Sequence, residues 1–447
     1  MTEQHSGSDA RTWAYVGLNS FGGPAGQIAV LHRVVVEERG WLDDRRFLHA
    51  LNFCMLLPGP EAMQLATYLG WVRRGLRGSM LAGAFFVLPG AVVMLGLATA
   101  YVTVGDLRGV SGLLFGVQAA VVAIIVQAVL RIGARALTTP TSIVVAVLAF
   151  LALFVVGLPF GVVVVAALLV GAVIGRRPGL LTVHVAADED EQADMGAEDS
   201  GAAGRAARRA RTAAAATFVL WAVPIVVLLV TLGRDNVFTQ EALVFGEAAL
   251  LAFGGAYAVL GLVTQQAVQH YGWIGTDTMV TGLGLAETTP GPLILVCQFV
   301  GFVAAYENAP GGLPPFVAGL LGTLLTLWVL FLPSYFLVLA GAPSIEGLRR
   351  NRAVAGALAA VSAAVVGVIA ELGLWFTLNV VFGEVDQSRE HGLRLVRPVW
   401  STLDGWAVAL VAVGAVLVFG LRWSILRVIC VCAACGLVLA LTGLHVA

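Results

Sequence analysis

The chain has 447 residues, of which 59% are hydrophobic and 12% charged, with a mean hydropathy of +0.90 and a formal net charge of -1. Soluble domains carry about 25% charged residues, so this composition excludes a soluble enzyme and predicts an integral membrane protein with many spans in a lipid bilayer. We expect no nucleic-acid partner, no cofactor and no metal, since the five cysteines and seven histidines show no ligand spacing.

The apolar runs predict about 13 membrane segments, as two groups of six with one helix between them. A cytoplasmic tail over residues 1–12 precedes a first transmembrane repeat over 13–175, and a charged cytoplasmic linker follows over 176–212. A linking transmembrane helix over 213–233 leads to a second, inverted transmembrane repeat over 242–447. The segments are predicted at 13–31, 48–71, 79–103, 110–130, 142–157 and 160–174, and again at 242–268, 279–305, 316–340, 354–382, 403–421 and 424–445. The predicted fold is an all-α polytopic membrane protein, and whether 13–31 and 242–268 span or re-enter is left open.

Three short motifs recur at one offset and indicate an internal duplication. The motifs are Phe21-Gly22-Gly23, repeated as Phe253-Gly254-Gly255; Gly40-Trp41, repeated as Gly272-Trp273; and Pro58-Gly59-Pro60, repeated as Pro290-Gly291-Pro292. Each copy follows the first by 232 positions (21 to 253, 40 to 272, 58 to 290). Chance does not account for one offset shared by three motifs, so we interpret the chain as two homologous repeats.

Arginine clusters predict that the two repeats have opposite orientations, because cytoplasmic loops are enriched in cationic residues. One cluster follows the segment 48–71 and another precedes the segment 354–382; their members are Arg73, Arg74 and Arg77, and Arg349, Arg350 and Arg352. Placing both clusters and the amino terminus in the cytoplasm makes 48–71 run inward and 279–305 outward. The unmatched linking helix accounts for this inversion, since one additional crossing reverses the second copy.

The two Pro-Gly-Pro motifs predict broken helices inside the membrane. Proline ends one half-helix and starts another, whose free N–H groups and positive dipole end attract an anion. Inverted repeats with such breaks are typical of secondary transporters with a site near the midplane. Kinks that serve only packing are the alternative. The candidate substrate-binding residues are Gly22, Gly23, Gln27, Pro58, Gly59, Pro60, Gln64, Gly254, Gly255, Thr288, Thr289, Pro290, Gly291, Pro292 and Gln298.

Two carboxylates beside the breaks are candidates for carrying a coupling proton. Glu61 follows the first Pro-Gly-Pro motif and Glu287 precedes the second, and a charge buried in a bilayer usually has a function. A helix cap or a structural partner for an arginine is the alternative role. Glu247 and Glu371 are weaker candidates, and Glu371 is expected near the surface.

Cationic residues flank the broken segments and are candidates for attracting an anion to a vestibule. They are Arg33, Arg39 and Arg77, for which a topogenic or lipid-facing role is the alternative. Enzyme motifs give no competing interpretation, since the sequence contains no GxxxxGK[ST] loop, no G-x-S-x-G elbow and no H-E-x-x-H. Transport would therefore use an ion gradient or the substrate's own gradient.

The segments FGGPAGQIAVLHRVVVEERGWL, LLPGPEAMQLATYLGW and GAFFVLPG of the first half, with FGGAYAVLG, GW and ETTPGPLILVCQFVGF of the second, resemble the chromate ion transporter (CHR) family in its long two-domain form. The resemblance implies antiparallel homologous halves in the bacterial inner membrane that export chromate from the cytoplasm, coupled to the proton gradient. Carried over by motif, the implied positions are the Phe-Gly-Gly pairs, Pro58 to Glu61, Gln64, and Glu287 to Pro292.

Several alternatives stay open at this stage. Sulfate or another anion could be the substrate in place of chromate. The chain could also be an integral membrane enzyme or assembly component that uses Glu61 and Glu287 on a lipid-linked substrate. Direction, coupling ion, stoichiometry and a homodimer are not fixed by the sequence. The mechanistic hypothesis is alternating access, in which the repeats rock about a midplane site.

Overall fold

The computed structural model describes residues 3–176, 200–253, 255–341, 351–390 and 393–444. The helices are α1 (Glu3–Asn19), α2 (Gly23–His32), α3 (Asp44–Cys54), α4 (Glu61–Val104), α5 (Arg108–Ala136), α6 (Pro140–Leu151), α7 (Phe160–Ile174), α8 (Ser200–Thr231), α9 (Val237–Leu251), α10 (Ala256–Thr264), α11 (Thr276–Thr288), α12 (Val296–Glu307), α13 (Pro315–Gly341), α14 (Arg352–Val381), α15 (Gly405–Ala415) and α16 (Ile425–Thr442). Strands β1 (Val385–Glu390) and β2 (Leu393–Pro398) form an antiparallel hairpin.

Local structure repeats along the chain at the offset of the motifs. A π-helix over Arg33–Glu38 continues α2, and another over Gln265–His270 continues α10, 232 positions later (33 to 265). Helices α3 and α11 begin at the same spacing (44 to 276). Further π-helices over Ala152–Val156 and Val416–Gly420 continue α6 and α15. The second half therefore repeats the element order of the first.

Helices of the two halves pack on each other in a reciprocal way. Helix α5 packs against α15 and α16, while its counterpart α14 packs against α6 and α7. Gly112 of α5 is so close to Gly436 and Ala440 of α16 that a Cβ would clash, and Gly356 of α14 meets Gly175 of α7 in the same way. Small residues let these helix backbones approach closely. Close packing of this kind holds helices together inside a membrane, where the hydrophobic effect does not drive their association.

Six helices are long and apolar enough to cross a membrane: Glu61–Val104, Arg108–Ala136, Arg208–Thr231 within α8, Pro315–Gly341, Arg352–Val381 and Ile425–Thr442. Shorter apolar helical stretches are Pro140–Val156, Phe160–Ile174, Leu293–Glu307 and Gly405–Gly420. These spans confirm the helical membrane class, whereas the total of 13 segments stays a prediction.

Three details differ from the sequence expectation. The predicted segment 48–71 is divided between α3 and α4, and its second part shares the 44-residue helix α4 with the predicted segment 79–103. Helix α4 breaks sharply between them, at Arg74 and at Gly75 with φ 61°. Helix α8 begins at Ser200, inside the range 176–212 assigned to the linker; residues 177–199 lie outside the described part. The β-hairpin lies in a stretch for which no element was predicted, because its alternating polar residues are flanked by much stronger apolar runs.

Candidate anion-binding site

Each Pro-Gly-Pro loop donates a backbone hydrogen bond to the residue that precedes the Phe-Gly-Gly motif of the other repeat. Gly59 donates its N–H to the carbonyl of Ala252 at 3.1 Å, and Gly291 donates to the carbonyl of Ser20 at 2.8 Å. Ser20 and Ala252 immediately precede the two Phe-Gly-Gly motifs, and the partners in one bond are the 232-shifted partners of the other. The structure therefore pairs each Pro-Gly-Pro loop with the start of the Phe-Gly-Gly motif of the other repeat.

Local chemistry explains why the chain breaks at these loops. Helix α3 ends at Cys54 and α4 starts after Pro60; α11 ends at Thr288, and a 3-10 turn over Leu293–Leu295 leads into α12. Proline cannot donate a backbone hydrogen bond, and the glycine between each pair of prolines allows a positive φ. The values are 125° at Gly59 and 90° at Gly291.

Four helix N-termini begin at these loops and turns, and none has a side-chain cap among the described residues. They are α2 after Gly22, α4 after Pro60, α10 after Gly255 and the 3-10 turn after Pro292. The first N–H groups of a helix have no intrahelical acceptor, and the helix dipole adds partial positive charge there. Such ends bind anions without a fixed cation.

Glutamine side chains hold the loops in position. Gln27 donates to the carbonyl of Gly291 at 2.6 Å, Gln64 to that of Pro58 at 2.6 Å, and Gln298 to that of Ala91 at 2.8 Å. All three are buried, and the amide oxygens of Gln64 and Gln298 have no partner in the described part of the chain. Gln27 and Gln64 therefore support the Pro-Gly-Pro loops and Gln298 connects α12 to α4, so their amide N–H groups are not free donors for a ligand.

The threonine hydroxyls close the end of α11. Thr288 donates to the carbonyl of Leu285 at 2.7 Å, and Thr289 to that of Ala286 at 2.9 Å. Each hydroxyl proton is thus committed to a backbone carbonyl one turn back. A ligand would have to compete for these protons, so the backbone N–H groups are the better donors at this site.

The two candidate carboxylates have different surroundings. Glu287 is 7% exposed and accepts a hydrogen bond from the hydroxyl of Tyr257 at 2.5 Å, which ties it to the start of α10. Glu61 is the first residue of α4 and is half-buried. No ion pair to either carboxylate is found among the described residues. The alternative role as a partner of arginine thus finds no support here.

Other sequence candidates lie away from the loops or outside the described part. Arg33 is 3.5 Å from Glu38 with both side chains about half exposed, and Arg39 and Arg77 are exposed. Glu247 is exposed, and Gly254 is outside the described residues. Glu371 was expected near the surface, which is wrong, since it is 9% exposed. Glu371 lies ten residues before the end of α14, where α6, α7 and α10 pack on that helix and bury it.

Three residues at or near the site were missed in the sequence. Tyr257 holds Glu287, and Ser334 of α13 lies beside Gly59. Glu241 of α9 is fully buried, and neither carboxylate oxygen has a partner among the described residues. The repeat offset was the signal for Glu241, because it follows Asp9 by 232 positions (9 to 241).

Comparison with known proteins places this architecture among transporters. The family model described as Chromate transporter matches residues 10–175 and 239–437. A chromate transport protein of Pseudomonas aeruginosa is 32% identical over 416 residues, which cover 91% of this chain and 88% of the relative. A chromate transport protein of Cupriavidus metallidurans is 26% identical over 356 residues, which cover 79% of this chain and 78% of that relative.

A shorter relative matches one half only. The uncharacterized transporter YwrB of Bacillus subtilis is 28% identical over 159 residues, which are 35% of this chain but 81% of that protein. No solved structure matches the chain.

Proposed function

Because the chain belongs to the chromate transporter family, we propose that it is a secondary active transporter that exports the chromate oxyanion across the bacterial inner membrane, coupled to protons. The observation that carries the proposal is that four helix N-termini without side-chain caps begin at the two Pro-Gly-Pro loops and at the Phe-Gly-Gly motifs, and that each loop is hydrogen-bonded next to the motif of the other repeat. The names of the relatives supply the substrate, and the geometry supplies the kind of site that would hold it.

Chromate suits such a site chemically. It is a tetrahedral dianion that accepts hydrogen bonds in several directions, and helix N-termini present N–H groups with partial positive charge. No arginine is needed to neutralise it, so binding stays weak enough for release. Buried prolines and glycines around the loops keep the backbone close to the ion.

We propose further that the repeats are inverted, with the amino terminus cytoplasmic. The reciprocal bonds from Gly59 to Ala252 and from Gly291 to Ser20 support a two-fold relation, since that is the pattern of a self-complementary contact. The half-length relative supports the repeat as a unit. The repeats would rock about the loops and expose the site to each side in turn.

Proton coupling is assigned to Glu61 and Glu287. Both lie next to the Pro-Gly-Pro loops, and both lack an ion-pair partner in the described part. Glu287 would exchange its proton as its bond to Tyr257 opens and closes with the movement of α10.

The test is uptake of radiolabelled chromate into inside-out vesicles that contain the protein, with and without an imposed proton gradient. We expect uptake that depends on the gradient. Excess unlabelled sulfate tests the alternative that a sulfate-like anion is the natural substrate. If sulfate inhibits the uptake of labelled chromate as strongly as unlabelled chromate does, the site is not selective for chromate. Absence of uptake under every gradient, from protein that is folded and inserted, would overturn the proposal.

A further inference from the structure

A buried polar cluster lies where α9, α12 and α13 meet, apart from the Pro-Gly-Pro loops. Glu241 of α9 is fully buried, and neither of its carboxylate oxygens has a partner in the described part of the chain. The hydroxyls of Thr323 and Thr326 on α13 are buried as well, and they too have no partner there. Buried polar atoms are normally hydrogen-bonded, so four unsatisfied oxygens on two packed helices need an explanation.

The two threonines differ from other threonines inside the helices. Thr217 and Thr377 donate their hydroxyls to the carbonyl four residues back, at 2.7 Å and 2.6 Å. Thr323 and Thr326 make no such bond. They are three residues apart in α13 and therefore lie on one face of that helix. Their hydroxyl oxygens are thus left for a ligand.

Two glycines bring the oxygens of this cluster together. At Gly322 an added Cβ would lie 3.1 Å from Oε2 of Glu241 and 2.5 Å from the carbonyl oxygen of Gly301. At Gly301 an added Cβ would clash with Oγ1 of Thr326. A carboxylate, a hydroxyl and a backbone carbonyl therefore meet at one contact between α12 and α13, in space that a larger residue would fill.

The first repeat has the same kind of contact with an arginine beside it. Gly78 meets the Cβ of Arg74, whose Nε is 2.6 Å from the carboxylate of Asp9. In the second repeat Gly322 meets the Cβ of Ala305 instead, a residue that brings no charge to the buried acid. A buried carboxylate without a cation is costly. The second repeat thus has a place for a cation that its own described side chains do not fill.

We propose that Glu241, Thr326 and the carbonyl of Gly301 bind a sodium ion, which neutralises the acid of the second repeat as arginine does in the first. A set of oxygen ligands suits a hard cation, and one carboxylate balances a single positive charge. A dehydrated sodium ion is smaller than a water molecule, so enclosed oxygens can hold it where no water enters. Without the ion the carboxyl is protonated, and sodium binding releases that proton.

The ion has a short route to the site. Glu241 is in the second turn of α9, close to the loop 232–236 that joins this helix to α8. In the proposed topology α8 runs outward from the basic linker, so the loop is on the outer face. The side of entry rests on the proposed function and its topology, whereas the site rests on the cluster itself.

Thermal unfolding of the purified full-length protein in detergent tests this site, with sodium chloride replaced stepwise by potassium or choline chloride at constant ionic strength. We expect sodium to raise the unfolding midpoint of the wild type saturably, by at least about 3 °C, because it binds the folded state. Glu241→Gln should lose this shift and unfold like the wild type in potassium, where a neutral amide replaces a neutral acid. Glu247→Gln is the matched control, since Glu247 is exposed on the same helix, and it should keep the shift.

Thr326→Val guards against loss of folding. It keeps the shape of the side chain and removes a hydroxyl that has no partner among the described residues, so its midpoint in potassium should not fall below that of the wild type. The sodium concentration that gives half the shift should rise about ten-fold through the loss of one ligand oxygen. In the wild type this concentration should fall as the pH rises, because the ion displaces a proton.

Binding of labelled sodium gives a direct readout: we expect one ion per chain in the wild type and in Glu247→Gln, and none in Glu241→Gln. Equal stabilisation by potassium or choline, a full sodium shift in Glu241→Gln, or no sodium shift in the wild type would each overturn the inference. None of these measurements uses chromate. Their failure therefore leaves the proposed transport function standing, and a failure of chromate uptake leaves the sodium site standing.

Discussion

Asp9 and Glu241 occupy equivalent positions in α1 and α9, 232 residues apart, but among the described residues only Asp9 has a cationic partner. The carboxylate of Asp9 is 3.1 Å from Nη2 of Arg73 and 2.6 Å from Nε of Arg74. At the positions that correspond to these arginines the second repeat has Ala305 and Tyr306. The two repeats therefore share the buried acid but not the bases, which leaves Glu241 to be neutral or to hold a cation.

This difference predicts that neutralising Asp9 destabilises the fold much more than neutralising Glu241. Asp9→Asn should lower the free energy of unfolding by about 2 kcal/mol, because it leaves two partly buried arginines without their anion. Glu241→Gln should change it by less than about 1 kcal/mol, because a neutral amide replaces a neutral acid of the same shape. Unfolding of the purified variants in detergent checks both values. Strong destabilisation by Glu241→Gln would mean that Glu241 is charged and compensated.

The positive φ values of the Pro-Gly-Pro loops predict sensitivity to added side chains. Gly59→Ala and Gly291→Ala should each cost about 1–2 kcal/mol and lower chromate transport, since φ is 125° and 90° there. Gly59 is also close to the amide of Gln64. Gly96→Ala is the control, because Gly96 is within α4 and an added Cβ would meet no atom within 4 Å. The rate of chromate transport per inserted protein is measured for all three variants and compared. An unimpaired Gly59→Ala variant would show that the loop does not need this conformation.

The inverted arrangement predicts opposite membrane faces for the residues just after the two Pro-Gly-Pro segments. Single cysteines at Arg77 and Glu307, both exposed positions, should react with an impermeant thiol reagent from opposite sides. The five native cysteines are first replaced, since Cys430 is exposed. Labelling of both positions from one side would defeat the inverted-repeat proposal. Intact cells and inside-out vesicles provide the two directions of access.

The contacts of His32 predict that the packing of α3 against the residues around His32 depends on pH. It lies outside the six candidate spans, with Nε2 2.6 Å from Asp44 and Nδ1 3.1 Å from Glu37. The hydrogen bond to Asp44 raises the pKa of His32 above 6.5, against a smaller lowering by burial, with help from the charges of Asp44 and Glu37. His32 thus binds its proton more tightly in the folded state than in the unfolded state. The protonated side chain stabilises the fold fully at pH values below the pKa of His32 in the unfolded chain, and this contribution is lost as the pH rises through its pKa in the folded chain.

Hydrogen exchange measures this effect in the α3 segment. After correction for intrinsic rates, amides of α3 should exchange faster at about pH 8.5 than at about pH 5.5, and His32→Gln should remove the difference. His49→Gln is the control on the same helix. A pH difference that persists in His32→Gln would assign it to another group.

The sequence predicted those features that depend on local chemistry. The breaks at Pro58 to Pro60 and Pro290 to Pro292 follow from the missing donors of proline, and the shared offset revealed the repeat. Features that depend on distant contacts were not predictable in this way. The bond from Gly59 to Ala252 joins residues far apart in the chain, and Gln64 was read as a ligand donor although it supports the loop. The burial of Arg394 in the hairpin likewise depends on contacts that the sequence pattern does not indicate.

The carboxylates beside the loops give the most direct prediction for coupling. Glu61→Gln and Glu287→Gln should each reduce gradient-driven chromate transport to below about a tenth of the wild-type rate, because neither amide can carry a proton. Membrane insertion should be unchanged, since a neutral side chain is easier to bury. Tyr257→Phe is the matched variant: it removes the 2.5 Å bond to Glu287 while keeping the carboxylate, so it should slow transport and shift its pH profile without abolishing it. Wild-type transport by both glutamine variants would remove the proposed roles and leave Glu241 as the next buried acid to substitute.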